Sequence, residues 1–452
     1  MSSDPIHPHP PLEPPGAVIR IAKRLEEAGH ETWCVGGAVR DALLGHPHLD
    51  WDLATAALPT EVRRLFKRTV PVGIDFGTVG VLDDAGVMHE VTTFRRDVQT
   101  DGRHAVVEFG ASLDDDLARR DFTVNAIAWS PTRRVLHDPF DGRGDLERRM
   151  IRAVGEPDER MREDRLRALR GIRFASRLGF TIDPETWSAI ERSAPHMNRL
   201  SAERVKQELE KTMEQVERPS EALEMWRRAG AIGMLIPALE NADRVTFAST
   251  DELTKPRGGP RNDERRTLRI TAAFLDLGER EAAKALRALR FSNREITWIS
   301  GTIGRWHDVR DRLESGARGG VQLSPGELRR IVAIVGRLRV RTIWRLLAAR
   351  CAAEARCTNG RTGSPDGWAP IHSLYREAVR IAFRDRVPLE LADLAIDGDD
   401  LRSDGIAAGP LLGQVLERLL DEVLENPALN TRDALRVRAV AIAAGVRSKE
   451  EG

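Results

Sequence analysis

Cysteine is scarce in this chain of 452 residues, and its scarcity excludes two common ways of stabilising a fold. Cys34, Cys351 and Cys357 stand at irregular spacing, which gives neither a disulfide framework nor a zinc-binding pattern. We therefore expect the protein in a reducing compartment, the cytoplasm. The chain also lacks a run of about 18 apolar residues and a basic-then-apolar signal sequence, so we expect neither membrane insertion nor export.

An excess of charge of one sign is absent as well. Lysine and arginine total 70, aspartate and glutamate total 70, and the formal net charge is zero. This balance excludes a uniformly basic nucleic-acid-binding protein, so any RNA-binding surface must come from local clusters of arginine. The length exceeds what one compact core holds and predicts roughly two to four domains.

The pattern of apolar residues changes near residue 145. After a proline-rich lead-in over residues 1–15, an α/β region is predicted, with strands near 32–35, 49–54, 77–82 and 87–94 and helices near 18–25, 60–67 and after 113. Beyond residue 145 the pattern is helical, with helices near 166–178, 205–209, 222–229, 267–275, 283–289, 328–335, 342–348, 372–383 and 411–423. Polar segments at 251–263 and 358–370 predict exposed loops between helical units.

The stretch from Cys34 to Thr55 carries the densest chemistry. An apolar strand end runs into Gly36-Gly37, where the missing Cβ atoms let the backbone turn tightly against a ligand. A short helix follows, so its free N–H groups and Arg40 lie just beyond the glycines, an arrangement that suits phosphate. The alternative interpretation of the two glycines alone is an ordinary strand-to-helix turn.

Two aspartates follow this turn. In residues 49–54 apolar and acidic residues alternate, which places Asp50 and Asp52 on one face of a strand. Paired carboxylates suit a hard divalent cation, although a lone Asp-x-Asp on a strand is as often a solvated edge. Glu90, on the predicted strand 87–94, is either a third ligand or an ordinary strand carboxylate.

Two later segments are rich in arginine. Adjacent Arg119 and Arg120 usually indicate a solvated helix face. Further along, Asp164, Arg167 and Arg170 are spaced three apart, which on a helix forms a polar stripe able to read the edge of a base. An exposed salt bridge between neighbours three apart, contributing under about 1 kcal/mol, is the alternative.

These segments, in this order, resemble the class II nucleotidyltransferase superfamily, which contains the tRNA CCA-adding enzymes of bacteria and eukaryotes and the bacterial poly(A) polymerases. The matching motifs are Gly-Gly-Ala-Val-Arg-Asp from Gly36, Asp50-Trp51-Asp52, Arg119 to Ala126 and Glu163 to Arg167. The resemblance covers about the first half of the chain. It implies an α+β fold: a polymerase-beta-like head with a mixed sheet over residues 16–145, a helical neck over 146–220, and an all-helical, tRNA-binding body and tail over 221–452.

The resemblance also implies roles for single residues. Asp50 and Asp52 would be catalytic and hold Mg²⁺. Gly37, Arg40 and Arg120 would touch the nucleotide and its triphosphate. On the neck, Asp164 and Arg167 would act as a protein template for the incoming base, with Arg170 and Arg173 adding positive charge; these four are carried over as nucleotide-binding residues.

The implied activity is template-independent addition of CCA to the 3′ end of tRNA from CTP and ATP, with release of pyrophosphate. The alternatives are CC addition alone, A addition alone, a bacterial poly(A) polymerase, and a catalytically idle RNA-binding protein. Residues 70–79 have the form typical of CCA-adding members rather than poly(A) polymerases.

In the family a flexible loop between the first two motifs is needed for A addition. Here it corresponds to residues 94–105, in which Asp101 and Arg103 could supply the required charges and Ala105 replaces a common proline.

Three further segments have simpler interpretations. The turn-rich segment 138–145 resembles the connection between head and neck and is predicted to be structural. Ser201 is predicted to cap the N-terminus of a helix. His307-Asp308 is similar to a phosphohydrolase metal dyad, but no further ligands accompany it, so we interpret it as a chance match.

Overall fold

A computed structural model of the protein describes residues 12–46, 50–100, 105–254, 262–318, 322–359 and 369–450. The chain divides into two compact units, an N-terminal unit of residues 1–217 and 221–237 and a C-terminal unit of residues 218–220 and 238–452. All nine predicted site residues lie in the N-terminal unit. The predicted domain boundaries at 145 and 220 stay predictions.

The N-terminal half combines short strands with helices. Up to Pro237 the elements are α1 (Gly16–Glu27), β1 (Thr32–Val35), α2 (Gly37–Leu43), β2 (Asp52–Thr55), α3 (Pro59–Leu65), β3 (Thr69–Gly73), β4 (Thr78–Leu82), β5 (Met88–Thr93), β6 (Arg95–Thr100), β7 (Ala105–Phe109), α4 (Leu113–Ala118), β8 (Ala128–Ser130), β9 (Val135–His137), α5 (Gly142–Arg148), β10 (Met150–Ile151), α6 (Pro157–Glu163), α7 (Leu166–Leu178), β11 (Thr181–Ile182), α8 (Pro184–Ser193), α9 (Ala202–Gln215), α10 (Pro219–Arg228) and α11 (Ala231–Leu235).

Seven of these strands form a mixed sheet in the order β3-β4-β5-β2-β1-β8-β9. The pair β2–β5 is parallel, and the other neighbouring pairs are antiparallel. Strand β2 is central, and its register with β5 pairs Leu53 with Val91, which sets Glu90 next to Asp52. The predicted mixed α/β head is therefore confirmed. Asp52, the first residue of β2, lies near the middle of the sheet.

One core of the head packs against this sheet. Its buried members come from β1, β2 and the segments around α4; β1 is buried at all four positions and β2 at every position except Asp52. They are Trp33, Val35, Ala54, Phe94, Leu113, Leu117, Ala126, Ala128 and Val154. Ser112 begins α4 as its N-cap, accepting a hydrogen bond from the Asp115 N–H at 3.2 Å.

Several local predictions differ from the structure. The predicted strand 49–54 begins only at Asp52, and residue 49 lies outside the described residues. The segment 138–145, predicted as a turn-rich connection, enters helix α5, where the carboxylate of Asp145 is fully buried. Strands β3, β8 and β9 were not predicted, and a short parallel pair, β10–β11, lies in the region predicted to be helical. These strands contain too few residues to show a clear alternation of apolar and polar side chains in the sequence.

The predicted loop 94–105 is largely a β-hairpin. Strands β6 and β7 pair antiparallel, with Arg95 opposite Phe109 and a register shift between Asp97 and Gln99. Asp101 and Arg103, which were predicted to supply the charged contacts of this loop, lie outside the described residues.

The C-terminal unit is helical throughout its described ranges. Its helices are α12 (Arg244–Glu252), α13 (Asn262–Ala273), α14 (Glu279–Ala288), α15 (Asn293–Ala317), α16 (Pro325–Val335), α17 (Val340–Asn359), α18 (Ala369–Phe383), α19 (Gly398–Ser403), α20 (Pro410–Glu425) and α21 (Arg432–Glu450). One of its cores packs α19, α20 and α21 around Leu401, Val415, Leu419 and Leu435. No helix in the described part of the chain is long and apolar enough to cross a membrane.

The predicted polar gaps are shorter than expected. Helix α12 runs to Glu252, so Asp251 is a buried helical residue rather than part of a loop, and residues 255–261 lie outside the described ranges. Helix α17 extends to Asn359 and α18 starts at Ala369. His307 contacts the Leu277 carbonyl at 2.9 Å through Nε2, which agrees with a structural role.

Candidate active site

A glycine turn connects β1 to α2 at the edge of the candidate site. Gly36 has φ +78°, a left-handed conformation that glycine adopts without strain. A Cβ at this position would lie 3.2 Å from Nη1 of Arg120, so the Arg120 guanidinium rests against the turn. Gly37, the first residue of α2, has ordinary space for a Cβ, with Nη2 of Arg40 at 3.5 Å. The turn thus brings two predicted motifs together.

The two aspartates have the alternating burial that the sequence predicts. Asp50 and Asp52 are exposed, whereas Trp51 and Leu53 are buried. The protein around Asp52 nevertheless raises the pKa of its carboxyl group to about 6, first through desolvation and then through repulsion by Glu90 and Asp50. Arg120 acts in the opposite direction, which shows that its positive charge reaches this carboxylate.

The donor set fits a divalent cation. Crowded carboxylates repel one another until a cation neutralises them, and this repulsion adds to desolvation in raising the pKa of Asp52. Among the described residues no group of three or more His, Cys, Asp or Glu side chains is arranged to hold a metal, so Glu90 as a third ligand stays a prediction. Magnesium commonly uses one or two carboxylates and completes its coordination with water and substrate phosphates, so two aspartates are sufficient.

Arg120 is held in place by a buried acid. Its Nη2 donates to Asp116 Oδ2 at 3.0 Å, and its Nη1 donates to the Asn125 carbonyl at 3.4 Å. Burial would raise the pKa of Asp116, but Arg120 and Arg119 together lower it below its ordinary value. The buried Nε of Arg120 has no hydrogen-bond partner. The guanidinium of Arg120 is therefore held against the glycine turn, where its positive charge acts on Asp52.

Arg40 lies in the interior, with only 2% of its surface exposed. Its Nε donates to Asp41 Oδ1 at 2.7 Å and its Nη1 donates to Asn125 Oδ1 at 2.6 Å. Burial lowers the pKa of Arg40, and the Asp41 carboxylate opposes that shift. Direct contact of Arg40 with a nucleotide stays a prediction, since the structure shows this guanidinium supporting the turn from behind.

The predicted base-reading residues are close together but arranged differently from the prediction. Asp164 is not on the helix with Arg167 and Arg170; it has extended backbone before α7 and accepts a hydrogen bond from the Leu166 N–H at 3.0 Å. Its other oxygen accepts from Arg204 Nη2 at 2.6 Å. In the described part of the chain Asp164 therefore forms its salt bridge with Arg204, and the alternative salt bridge with Arg167 is not formed.

Arg167 binds three acceptors of the head and neck. It pairs with Glu163, and its Nη1 donates to the Arg160 carbonyl at 3.1 Å. Its Nη2 donates to the Arg119 carbonyl at 2.8 Å, which links α7 to the end of α4. Asp164 and Arg167 must therefore exchange partners before they can read a base.

Arg170 and Arg173 also have internal partners. Arg170 donates through Nε and Nη2 to Asp121 Oδ2 at 2.9 and 2.7 Å. Arg173 donates through Nε to Glu208 Oε1 at 2.5 Å and is 3% exposed. Burial lowers the pKa of Arg173, and Glu208 opposes the shift. Arg173 is therefore enclosed, whereas 32% of the Arg170 side chain is exposed, and contact of either arginine with nucleotide stays a prediction.

The sequence reasoning missed the acids and the amide that hold these arginines. They are Asp41, Asp116, Asp121, Asn125, Glu163 and Glu208. Asp116 could have been found from its spacing, four residues before Arg120 on a predicted helix. The partnership of Arg173 with Glu208, 35 residues away, leaves no local pattern.

Comparison with known proteins agrees with this geometry. A family model described as the poly A polymerase head domain matches residues 32–152, and one described as a probable RNA and SrmB-binding site of polymerase A matches residues 179–243. The CCA-adding enzyme of Limosilactobacillus reuteri (strain DSM 20016) is 32% identical over 419 residues, which cover 92% of this chain and 94% of that enzyme. The corresponding enzyme of Pediococcus pentosaceus is 34% identical over 92% and 96%.

A solved structure extends the similarity to the fold. The Bacillus stearothermophilus CCA-adding enzyme in complex with CTP superposes with a TM-score of 0.71 at 30% identity, covering 96% of this chain and 98% of that one. The similarity thus includes the C-terminal helices, where our motif analysis found only helical character. Because the identity extends over nearly the whole length of both chains, this chain belongs to the family of CCA-adding enzymes.

Proposed function

We propose that this protein adds the sequence CCA to the 3′ end of tRNA, using CTP and ATP and releasing pyrophosphate. The observation that carries the proposal is the convergence of Asp50, Asp52 and Arg120 on the glycine turn, within a chain that matches CCA-adding enzymes along its length. An idle RNA-binding protein would have no physical need for crowded carboxylates facing a triphosphate site.

In the proposed reaction the 3′ hydroxyl of tRNA attacks the α-phosphorus of the nucleotide. A new phosphodiester bond forms, the bond from the α-phosphorus to the bridging oxygen breaks, and pyrophosphate leaves. Gly37 and Arg120 hold the triphosphate, because the first N–H groups of α2, which have no helical partners, lie beside the Arg120 guanidinium. Charge neutralisation by such preorganised groups supplies most of the catalysis.

We propose Mg²⁺ as the cation. Asp50 and Asp52 would hold it, since carboxylate oxygens are the ligands that Mg²⁺ prefers. When bound, the ion activates the attacking hydroxyl and neutralises charge on the triphosphate. The protein's own contribution is to keep two ionised carboxylates close together at the start of β2, with Arg120 limiting their repulsion.

Selection between CTP and ATP is assigned to Asp164 and Arg167. Asp164 offers acceptors and Arg167 a fork of donors, so together they match the edge of a base. Arg40, Arg170 and Arg173 would contribute positive charge next to the bound nucleotide. A cytoplasmic location is proposed on the same basis, because tRNA is the substrate.

One experiment tests the activity and its alternatives. The purified protein is incubated with Mg²⁺ and tRNA that ends at the discriminator base, with CTP, ATP or both, and the product ends are sequenced. We expect CC with CTP alone and CCA with both nucleotides. Products that stop at CC, growth only on tRNA already ending in CC, or long A tails would each identify one of the other family activities. No addition at all would contradict the proposal.

A further inference from the structure

A closed ring of polar contacts connects the glycine-turn helix, the Arg120 motif and helix α7. Its members in order are Arg177, Asp41, Arg40, Asn125, Asp121 and Arg170. Both ends of this series lie on α7, because Arg170 and Arg177 are seven residues apart, or about two helical turns. The helix backbone therefore closes the ring.

The first half of the ring joins α7 to α2. Arg177 Nη2 donates to Asp41 Oδ2 at 3.1 Å, across 136 residues of sequence. The other oxygen of Asp41 accepts from both Nε and Nη2 of Arg40, at 2.7 and 2.6 Å. The Asp41 side chain is 4% exposed, so this carboxylate holds two arginines in a largely dry environment.

The second half returns from α2 to α7. Arg40 Nη1 donates to Asn125 Oδ1 at 2.6 Å, and Asn125 Nδ2 donates to Asp121 Oδ1 at 3.0 Å. Asp121 then accepts from Arg170 at 2.7 Å. Asn125 also accepts from Arg120 through its carbonyl, so the ring touches the arginine that faces the triphosphate.

Phe174 lies inside the ring. Its aromatic ring is 5.2 Å from the Arg40 guanidinium and 5.3 Å from that of Arg170, and Arg173 stacks on it at 4.4 Å. Phe174 also packs edge-on against Phe122 at 6.0 Å. This aromatic pair packs α7 against the segment that carries Asp121 and Asn125, so a change at one contact of the ring displaces other contacts.

We propose that this ring couples the triphosphate-binding turn to the base-selecting start of α7, and that Asp41 and Arg177 are its positioning residues. The inference rests on the proposed function, because it assigns nucleotide binding to both ends. Arg177 is accessible from solvent, with 32% of its side chain exposed, and it lies far along α7 from Asp164 and Arg167. Removing it opens the ring without removing a group assigned to nucleotide contact.

The test compares Arg177→Ala with the wild-type protein by titration calorimetry of CTP with Mg²⁺ and by steady-state addition to tRNA. We expect Kd and KM for CTP to rise about tenfold, as loss of a charge-assisted hydrogen bond within a coupled network predicts. The rate at saturating CTP should fall less, and misincorporation of UTP should increase. Arg177→Lys retains the charge and should restore most of the CTP affinity.

Arg192→Ala is the control. It removes an ion pair of Arg192 with Asp158, at 2.9 Å, that lies outside the ring and is more exposed than the pair of Arg177 with Asp41. Arg177→Ala should unfold at a lower temperature than Arg192→Ala, because the Asp41 carboxylate is buried, so CTP binding is compared at a temperature at which both variants are folded. Only Arg177→Ala should lose CTP affinity. Equal CTP affinity for the two alanine variants would overturn the proposal.

A double-mutant cycle tests whether Arg177 and Asn125 are coupled through the ring. Asn125→Ala opens the opposite side of the ring, so adding Arg177→Ala to it should weaken CTP binding by clearly less than the product of the two single effects. Multiplicative effects would show that the contacts act independently and would contradict the ring. If the wild-type protein bound CTP but added nothing to tRNA, the proposed function would fail, and the binding comparisons would still decide the coupling.

Discussion

At the scale of single residues, the site combines accessible acids with enclosed arginines. Asp52 is exposed yet has a pKa raised to about 6, because desolvation and the charges of Glu90 and Asp50 disfavour its ionised form. Since the folded pKa lies above that of the unfolded chain, ionising Asp52 destabilises the metal-free protein as pH rises through about 6. The ionised Asp52 carboxylate that the proposed reaction requires thus lowers the stability of the folded protein when no cation is bound.

Asp52→Asn should therefore separate activity from stability. We expect loss of nucleotide addition, because a charged ligand is removed, together with a higher unfolding midpoint at pH 7.5 in EDTA. The gain should be under about 1 kcal/mol, since the group is exposed to screening, and it should shrink at pH 5, where the wild-type carboxyl is protonated. Differential scanning calorimetry at both pH values measures this.

Asp84→Asn is the control, since the Asp84 side chain is fully exposed and its nearest arginine is 3.9 Å away. It should change neither property. Nucleotide addition by Asp52→Asn at a near wild-type rate would exclude the metal role, and Asp50→Asn should be as inactive as Asp52→Asn.

The base-reading pair gives a second prediction at this scale. Asp164→Ala or Arg167→Ala should reduce the discrimination of CTP and ATP against UTP and GTP by about 1–3 kcal/mol, because base-edge hydrogen bonds are lost. Competition assays with all four nucleotides on tRNA measure it. Asp158→Ala, which breaks only the surface pair with Arg192, is the control. Unchanged selectivity in both site variants would leave this segment as a packing element of the neck.

At the scale of elements, the β1–α2 turn shows two glycines with different physical requirements. Gly36 needs its positive φ and closely faces Arg120, whereas Gly37 tolerates a Cβ at ordinary contact distance. The sequence pattern Gly-Gly does not distinguish these roles. The backbone conformation does, because only residues in the left-handed region carry a steric cost for a side chain.

Gly36→Ala and Gly37→Ala should consequently differ. Gly36→Ala should destabilise the protein by about 1–2 kcal/mol through backbone strain and displace Arg120. Gly37→Ala should leave both stability and CTP binding nearly unchanged, because the new methyl group meets only Arg40 Nη2, at an ordinary contact distance of 3.5 Å. Urea unfolding and CTP titration of both variants test this. Equal loss of stability in both would contradict the assigned geometry.

At the scale of the whole molecule, buried carboxylates link stability to acid. Burial would raise the pKa values of Asp116 and Asp121, but their arginine partners lower both below the ordinary value. A depressed folded pKa means that the stabilisation is present above the unfolded pKa of about 4 and is lost as pH falls through the folded value. The N-terminal unit, which contains both pairs, should therefore lose stability below about pH 4.

Asp121→Asn should reduce the loss of folding stability that the N-terminal unit undergoes at low pH. At pH 7 the variant should be less stable than wild type by roughly 2 kcal/mol, because the charge-assisted hydrogen bonds from Arg170 to the buried Asp121 carboxylate are lost. Near pH 3 the difference should narrow. Urea unfolding followed by tryptophan fluorescence at several pH values measures it, with Asp84→Asn again as the control. A difference independent of pH would contradict the assigned titration.

The sequence by itself determined the family motifs, the glycine turn, the outward face of Asp50 and Asp52, the N-cap at Ser201 and the helical second half. Each of these depends on short-range periodicity or on residue types with strong local preferences. The predicted bounds of α7 and α20 lie within two residues of the observed ones, whereas α9 and α17 extend well beyond the segments named from sequence. Short strands such as β8, with three residues, escaped because they are shorter than one clear alternation.

Only the tertiary structure decided which partner each charged side chain binds. Asp164 pairs with Arg204 rather than Arg167, and Arg177 pairs with Asp41, 136 residues away. An ion pair depends on distance and burial, which no local pattern reports, whereas a helix or turn is favoured by neighbours along the chain. The placement of Arg40 and Arg173 in the interior follows from the same cause, because it is the packing of α2 and α9 around α7 that encloses them.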